Sequence, residues 1–386
     1  MAARVGAAGG CDDAAFEVLA AVSNNVWPAI PSGRGAQLLS LLLQLEQSQW
    51  LSPLELIRRS AGQLHSLLTH ALEHVPYYRE HYTKLGFSPD TIRSADEWRR
   101  LPVLARDDVQ AAGDQLHTPP ELLNHGRIEP LLTSGSTGKP VAVMHTSVAG
   151  LFWSAFALRE HLWQRRNFQL TTASIRTLEG AAAKAGPDAR SNTWGAATKG
   201  VIRTGPSSGL DIRTPIDEQA QWLLKQEPDY LITYPSNAFA LARHFQQHDL
   251  KLSNLRELRL FGEQLEPFVR RECQATFGVK ITDVYSSQEF GHLALQCPEH
   301  EHYHVQSENV LLEVLHDDGQ PCAPGEVGRV VVTGLHNFAT PLIRYEIGDY
   351  AEVGARCPCG RGLPVLNRIM GRQRNLAVLP DGRRVW

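Results

Sequence analysis

The first third of the chain carries apolar residues at three- and four-residue spacing, which is the pattern of amphipathic helices. Pro53, Pro76 and Pro89 punctuate this pattern at positions where a helix begins or ends. The periodic stretches are 37–51, 54–74 and 94–101. We therefore predict a helical entry region over residues 1–125.

From Tyr230 onward, short apolar runs alternate with amphipathic stretches. The strand-like runs are 230–234, 257–261 and 279–285, and the amphipathic stretches between them are 237–247 and 266–277. Strand, helix, strand, helix, strand is the order of a parallel sheet with its helices packed on the faces. The pattern predicts an α/β core with a doubly wound parallel sheet over residues 126–305.

After Glu308 the helical period stops and the pattern becomes that of β-strands. The predicted strands are 310–315, 328–333 and 341–353, with Asp-Asp-Gly, Pro-Gly and Gly-Asp turns among them. We expect a small, barrel-like β subdomain over residues 306–370. Residues 179–209 are rich in small side chains and weakly periodic, so we expect a loop that borders a pocket.

Composition narrows the function classes. The 38 Lys and Arg residues nearly balance 41 Asp and Glu, and the net charge of −3 gives no attraction to nucleic acid or to an anionic membrane. The N-terminus lacks a basic flank followed by an apolar run, and the apolar stretch 38–45 is too short to span a bilayer. A cytoplasmic enzyme with no membrane or nucleic-acid partner is the expectation.

Residues 133–140, Thr-Ser-Gly-Ser-Thr-Gly-Lys-Pro, have the composition of a phosphate-binding loop. Two glycines allow close backbone approach, four hydroxyls can donate hydrogen bonds, and Lys139 adds a positive charge. The flanking apolar runs 129–132 and 141–144 predict a strand, loop, strand hairpin. The nucleoside-triphosphatase P-loop is excluded, because it needs four residues between its first Gly and Gly-Lys and only Ser136 and Thr137 intervene here. A structural Gly/Ser turn stays open as the alternative.

The same eight residues resemble the signature loop of the adenylate-forming superfamily of acyl-CoA synthetases. Val75–Arg79 and Leu101–Asp108 upstream are similar to the entry region of the phenylacetate-CoA ligase group and its capsule-biosynthesis-like relatives. The resemblance covers most of the chain and implies the large N-terminal domain of such an enzyme. Residues 371–386 would then be the hinge and the start of a C-terminal domain that this sequence does not contain.

The resemblance implies a role for each matching residue. Catalysis would rest on Lys139, Gln288 and Glu289, with Glu289 holding Mg²⁺. Gly262 and Glu263 would border the adenine, Tyr285 and Ser286 would lie beside it, and Asp349 and Arg372 would contact the ribose. The phosphates of ATP would be bound by Ser134, Gly135, Ser136, Thr137, Gly138 and Lys139.

Three departures from the family pattern weaken these assignments. Ser286 replaces a usual Gly, Gln288 replaces a usual hydroxyl residue, and Asn375 replaces a usual acidic hinge residue. Each short motif taken alone would be read as an ordinary turn or strand end. Their order along the chain favours the nucleotide site.

A second group of residues has the chemistry of a metal site. Cys297 and three nearby histidines, His300, His302 and His304, lie about sixty residues before the Cys357-Pro-Cys359 pair, and tetrahedral zinc takes thiolate and imidazole ligands. The expected set is Cys297, His304, Cys357 and Cys359, because some relatives in the family have a similar layout. His300 or His302 could replace His304, and a turn with two exposed thiols is the alternative. Four protein ligands would make the zinc structural.

The reaction implied by the resemblance is attack of a carboxylate on the α-phosphorus of ATP, which gives an acyl-AMP, and then transfer to CoA. The substrate would be a small aryl or related acid, and a homodimer is left open. The superfamily places a further lysine beyond the hinge, and the sequence stops at Trp386. We therefore expect nucleotide binding to survive better than turnover. A degenerate nucleotide-binding domain, and an activating enzyme with a polysaccharide acceptor, remain alternatives. A serine hydrolase is a weak further alternative, since 205–209 match Gly-x-Ser-x-Gly.

Overall fold

The computed structural model describes residues 16–92, 94–132, 141–178, 180, 186, 189–372, 377–378 and 384–385. The predicted phosphate loop at 133–140 and the hinge position Asn375 lie outside the described residues.

The entry region is helical, as its period predicts. Ser32 and Ser52 cap the first two helices, because their side chains accept hydrogen bonds from Gly35 N and Glu55 N. The second helix stops before Pro76, which starts the third. The helices of this region are α1 (Gly33–Ser48), α2 (Pro53–His74), α3 (Pro76–Lys84), α4 (Ala95–Arg99) and α5 (Arg106–Ala112).

The remaining described residues include four more helices and a large sheet. The helices are α6 (Ser147–Trp163), α7 (Ile216–Gln226), α8 (Pro235–Gln247) and α9 (Pro267–Phe277). The strands before the β-rich part are β1 (Glu17–Val18), β2 (Ile128–Leu132), β3 (Ala142–Thr146), β4 (Thr172–Arg176), β5 (Arg190–Ser191), β6 (Ile202–Arg203), β7 (Ser207–Asp211), β8 (Tyr230–Thr233), β9 (Glu257–Phe261) and β10 (Lys280–Ser287). The later strands are β11 (Gly291–Gln296), β12 (Tyr303–Val305), β13 (Val310–Leu315), β14 (Val327–Gly334), β15 (Tyr345–Val353), β16 (Val365–Arg372), β17 (Ala377–Val378) and β18 (Arg384–Val385).

The α/β core is doubly wound, as predicted. Strands β10, β9, β8, β4 and β7 are neighbours in that order and run parallel. Apolar side chains on one face, including Leu231, Leu258 and Leu260, are fully buried against α7, α8 and α9. The other face meets α6, where Arg259 of β9 pairs with Glu160. Period-two alternation along the strands produces these two faces.

The β-rich part is an open continuation of the same sheet. The order β13-β14-β15-β16-β12-β11-β10 joins it to the parallel core, because β16 pairs with both β15 and β12. The predicted strand 341–353 begins only at Tyr345. Arg344 has a φ of +50°, and its backbone N–H donates to the side-chain Oγ1 of Thr333 on β14 and not to a backbone carbonyl of that strand. The chain therefore turns at Arg344 before the strand starts.

The expectation of a loop over 179–209 is wrong for its last part. Residues 207–209 belong to β7, which runs parallel to β4 inside the sheet. Just before this strand, position 205 requires glycine, since a Cβ on Gly205 would lie 2.3 Å from Leu170 O. The sequence of this strand contains few apolar residues, so the hydrophobic pattern did not predict it.

Within the part of the chain that the structure describes, three short strand pairs lie outside the large sheet: β1 with β6, β2 with β3, and β17 with β18. The β2–β3 pair is the predicted hairpin around the phosphate loop. It is fastened to the β-rich part by two hydrogen bonds, Met144 N to Thr340 Oγ1 at 2.9 Å and Asn337 Nδ2 to Met144 O at 3.0 Å. Among the described helices, none combines the length and the apolar character that crossing a membrane requires.

Candidate functional site

Three of the residues assigned to the nucleotide meet at one point of the sheet. Tyr285 Oη donates to Asp349 Oδ2 at 2.8 Å, and Arg372 Nε lies 3.0 Å from Asp349 Oδ1. They come from β10, β15 and β16, and Asp349 lies opposite Arg372 in the β15–β16 register. Arg372 also donates to Ile347 O at 3.1 Å. Residues separated by up to 87 positions in sequence therefore form one hydrogen-bonded cluster.

Burial controls the electrostatics of this cluster. Asp349 is only 7% exposed, and burial raises its pKa while Arg372 and the Tyr285 hydroxyl oppose that shift. The pKa of Tyr285 lies well above its usual value because of burial and the neighbouring Asp349 carboxylate. The phenol therefore stays a hydrogen-bond donor, and Asp349 keeps lone pairs for further donors such as sugar hydroxyls.

The turn after β10 carries Gln288 and Glu289. Gln288 is exposed, whereas Glu289 is 8% exposed and interacts electrostatically with the phenols of Tyr285 and Tyr345. His145, which comes from β3, lies against the backbone of both turn residues. Burial lowers the pKa of His145, and its hydrogen bonding to Gln288 and Glu289 opposes the change. The hairpin that flanks the predicted phosphate loop thus reaches this turn.

Gly262 and Glu263 lie at the carboxyl end of β9. Gly262 has a φ of +78°, and a Cβ there would lie 3.1 Å from the Tyr234 ring, so a larger residue would be strained. Glu263 Oε2 accepts a hydrogen bond of 2.9 Å from Ser236 N in the first turn of α8. The predicted adenine-edge residues therefore also fasten the start of a helix.

The sequence did not predict a buried charge network beneath this end of the sheet. Glu160 of α6 accepts from Arg166 Nη2 at 2.9 Å and from Arg259 Nε at 2.8 Å, and Arg166 also pairs with Glu257 at 2.6 Å. Next to it lies His292 of β11, which is 5% exposed. The strand Gly291–Gln296 is buried along its whole length, and a histidine within its apolar run is the sequence signal for this residue.

The four residues expected to bind zinc come together. One donor atom from each of Cys297, His304, Cys357 and Cys359 lies within 4.8 Å of the others. Cys297 Sγ is 3.9 Å from Cys357 Sγ, and Cys359 Sγ is 3.4 Å from His304 Nε2. These edges are close to the roughly 3.5 Å that tetrahedral zinc with sulfur and nitrogen ligands requires.

Burial also sets the protonation of these four side chains. It raises the pKa of Cys297, raises that of Cys357 to about 12 and lowers that of His304 to about 3. For Cys359 burial acts upward, but hydrogen bonds from Arg361 and Cys357 bring its pKa below the usual value. A bound cation is what would stabilise several thiolates in one buried group.

The Gly-x-Ser-x-Gly match is excluded as a nucleophile elbow. Ser207 lies at the start of β7, and its hydroxyl donates to Thr193 O at 2.7 Å. A nucleophile elbow needs the serine on a sharp turn between a strand and a helix. The serine-hydrolase alternative has no support in this geometry.

Comparison with known proteins agrees with the fold. Phenylacetate-coenzyme A ligases of Thermus thermophilus and Escherichia coli are 26% and 25% identical to this chain, covering 82% and 81% of it and 70% of each relative. Protein CapK of Staphylococcus aureus is 25% identical over 40% of this chain and 33% of its own length. A solved structure of 2-hydroxyisobutyryl-CoA ligase superposes with a TM-score of 0.70 at 20% identity, covering 88% of this chain and 80% of that one, and therefore bears on the fold.

The AMP-binding enzyme family matches residues 130–340, which is more than half of the chain. This range runs from the β2–β3 hairpin to the segment just before β15. The chain therefore belongs to the AMP-binding enzyme family and is an adenylate-forming ligase of the phenylacetate-CoA ligase-like group.

Proposed function

We propose that the protein activates a small carboxylic acid with ATP and passes the acyl group to CoA. A carboxylate oxygen attacks the α-phosphorus, the bond to the bridging oxygen of pyrophosphate breaks, and acyl-AMP forms. The CoA thiol then attacks the acyl carbon and AMP leaves. The observation that carries the proposal is the cluster of the buried Tyr285 and Asp349 with Arg372 beside the Glu289 turn, in a chain of the AMP-binding family.

Each side chain of the cluster has a chemical part in this proposal. Asp349 accepts hydrogen bonds from the ribose hydroxyls, for which an ionised carboxylate has spare lone pairs. Arg372 and Tyr285 hold that carboxylate in place, through contacts of 3.0 and 2.8 Å. Gly262 leaves room for the adenine edge, and Glu263 fixes the turn beside it. The nucleotide is thus positioned before reaction, which is the main catalytic effect expected in phosphoryl and nucleotidyl transfer.

The second chemical requirement of this proposal is neutralisation of the negative charge on the phosphates. Glu289 is the residue that would hold Mg²⁺, whose chemistry is to neutralise phosphate oxygens. Glu289 is buried and interacts with two phenols. Among the hydrogen bonds and ion pairs of the described residues, no arginine pairs with its carboxylate. Gln288 is exposed and free to donate its amide to the α-phosphate. The predicted loop with Lys139 would hold the departing pyrophosphate.

Carboxylate-dependent pyrophosphate exchange tests the proposal. The wild-type chain should exchange label into ATP with at least one acid from an aryl, alkyl and amino acid panel. Asp349→Asn should raise the KM for ATP about tenfold or more, because it removes a charged acceptor. Glu352→Gln is the matched control: this carboxylate is on the same strand but binds Arg368 and Asn367. AMP binding without exchange across the whole panel would instead identify a degenerate nucleotide-binding domain.

We further propose that Cys297, His304, Cys357 and Cys359 hold a structural zinc ion. Three sulfurs and one imidazole, with one donor atom from each residue within 4.8 Å of the others, suit zinc. Protein purified without chelator should contain about one equivalent of zinc. Cys357→Ser should lose the metal, whereas Cys273→Ser, at a buried thiol in α9, should keep it. Trace zinc in the wild type would refute this site.

A further inference from the structure

The face of the parallel strands that meets α6 is less completely buried than the opposite face. Ser174, Ile232, Arg259 and Phe261 on this face are all half-buried. The alternate residues on the opposite face, such as Leu258, are completely buried. Ligands of open α/β sheets bind at the carboxyl ends of the strands. We call the space between α6 and these four residues the α6 cleft.

The α6 cleft adjoins the cluster of Tyr285, Asp349 and Arg372, which we call the nucleotide cluster. Ser286 follows Tyr285 on β10 and is paired with His292 of β11, so the α6-facing side of these two strands leads directly to the turn with Glu289. Trp153 of α6 covers the start of β11, where a Cβ on Gly291 would lie 3.2 Å from the indole. An acid activated at the α-phosphate would therefore place its side chain in this cleft. This step rests on the proposed function.

The floor of the cleft is polar yet balanced in charge. Arg259 binds both oxygens of Glu160, and its side chain is 18% exposed while that of Glu160 is 1% exposed. Arg166 and Glu257 complete a network of two positive and two negative groups. A second carboxylate or an ammonium group on the substrate would find no net opposite charge here. A neutral polar group needs no opposite charge and is therefore compatible with this floor.

His292 has unused hydrogen-bonding capacity next to this floor. Both of its ring nitrogens are buried and have no hydrogen-bond partner among the described residues. Its ring lies 6.3 Å, edge to face, from that of Trp153, and it interacts electrostatically with Glu160 and Arg259. A buried polar group of this kind costs stability unless a ligand or a water satisfies it.

We propose that His292 is a specificity-determining residue that hydrogen-bonds a hydroxyl group on the side chain of the carboxylic acid. A neutral imidazole offers one donor and one acceptor, and a hydroxyl group offers the same pair. Burial brings the pKa of His292 to about 4, so the ring is neutral at physiological pH. The preferred substrates are therefore hydroxy acids or hydroxyaryl acids, with the indole of Trp153 contacting their apolar part.

Pairs of acids that differ by one hydroxyl test this proposal. The kcat/KM of pyrophosphate exchange is measured for benzoate against the three hydroxybenzoates, phenylacetate against 4-hydroxyphenylacetate, and propionate against lactate. We expect at least one hydroxyl acid to exceed its parent by about tenfold or more, because a site built to bind a hydroxyl rejects the analogue that lacks it. The variant His292→Leu should reduce that ratio to near one with an unchanged KM for ATP. The conservative variant His292→Asn, which keeps a donor and an acceptor, should retain part of it.

The outcomes separate the two proposals. Exchange with several acids but no hydroxyl preference, or a preference that survives in His292→Leu, would overturn the role of His292 and leave the activating function intact. If His292→Leu does not fold, the wild-type ratios and the His292→Asn ratio decide the question by themselves. Absence of exchange with every acid would refute the activating function, and the inference about His292 with it.

Discussion

The charge network under the α6 cleft makes the Glu160→Gln variant a sharp test of the packing described above. Glu160 is 1% exposed and binds two arginines, Arg166 at 2.9 Å and Arg259 at 2.8 Å. Burial alone would raise its pKa, but the two guanidinium groups hold it well below the usual value. Removing the carboxylate leaves the buried Arg166 and the half-buried Arg259 with Glu257 as the only anion of the network. Breaking a buried ion pair in this way costs about 3–5 kcal/mol.

Because glutamine keeps one acceptor oxygen, we expect a loss near the lower limit, about 3 kcal/mol of unfolding free energy. Urea denaturation followed by tryptophan fluorescence measures it. Glu55→Gln is the control, since its ion pair with Arg59 is 37% and 64% exposed and such pairs contribute less than about 1 kcal/mol. Equal shifts of the two denaturation midpoints would refute the idea that Glu160 is an essential buried anion.

Three further predictions concern the nucleotide cluster and the buried histidines. Tyr285→Phe removes the hydrogen bond to the neighbouring carboxylate and should weaken AMP binding about tenfold in calorimetry, whereas unchanged affinity would contradict the cluster. Gly262→Ala should lower Tm more than Gly86→Ala, because both have positive φ but only at Gly262 does the new Cβ meet another side chain, the ring of Tyr234, at 3.1 Å. Burial lowers the pKa of His292 and of His336 to about 4, so the unfolded chain takes up protons first. Stability should be nearly complete above about pH 7 and fall by about 2 kcal/mol per histidine between pH 7 and 5, and a flat profile in urea titrations would contradict this sign.

Much of the fold could be predicted from period and order alone. The strand-helix alternation after Tyr230 corresponds to β8, α8, β9, α9 and β10 within a few residues at each end. The strand period of two residues and the helix period of 3.6 residues are local signals, since each arises from side-chain direction within one element. The candidate zinc ligands were also predictable, because cysteine and histidine are rare enough for their spacing to carry information.

Other features depend on contacts that spacing cannot encode. Strand β7 was missed since its Ser-Ser-Gly-Leu-Asp sequence is not apolar, although its position in the sheet buries Ser208 and Leu210. The joining of the two sheet regions through β16 follows from pairing partners far apart in sequence. The network of Glu160 and Arg259 unites a helix and a strand 99 residues apart, and neither residue belongs to a motif. Tertiary pairing decides such features.

The sharing of β16 between two neighbours limits how this region can vary in length. The strand carries Arg372 at one end and pairs through Val365 with His304 of β12 near the other. The register of β16 against β15 already shifts at two places, and a deletion or insertion of one residue without a compensating bulge would turn the following side chains to the opposite face of the sheet. Arg372 would then point away from Asp349 while the pairing with β12 stayed in place. Homologous chains that keep both contacts should therefore differ in this stretch by substitution, with its residue count unchanged.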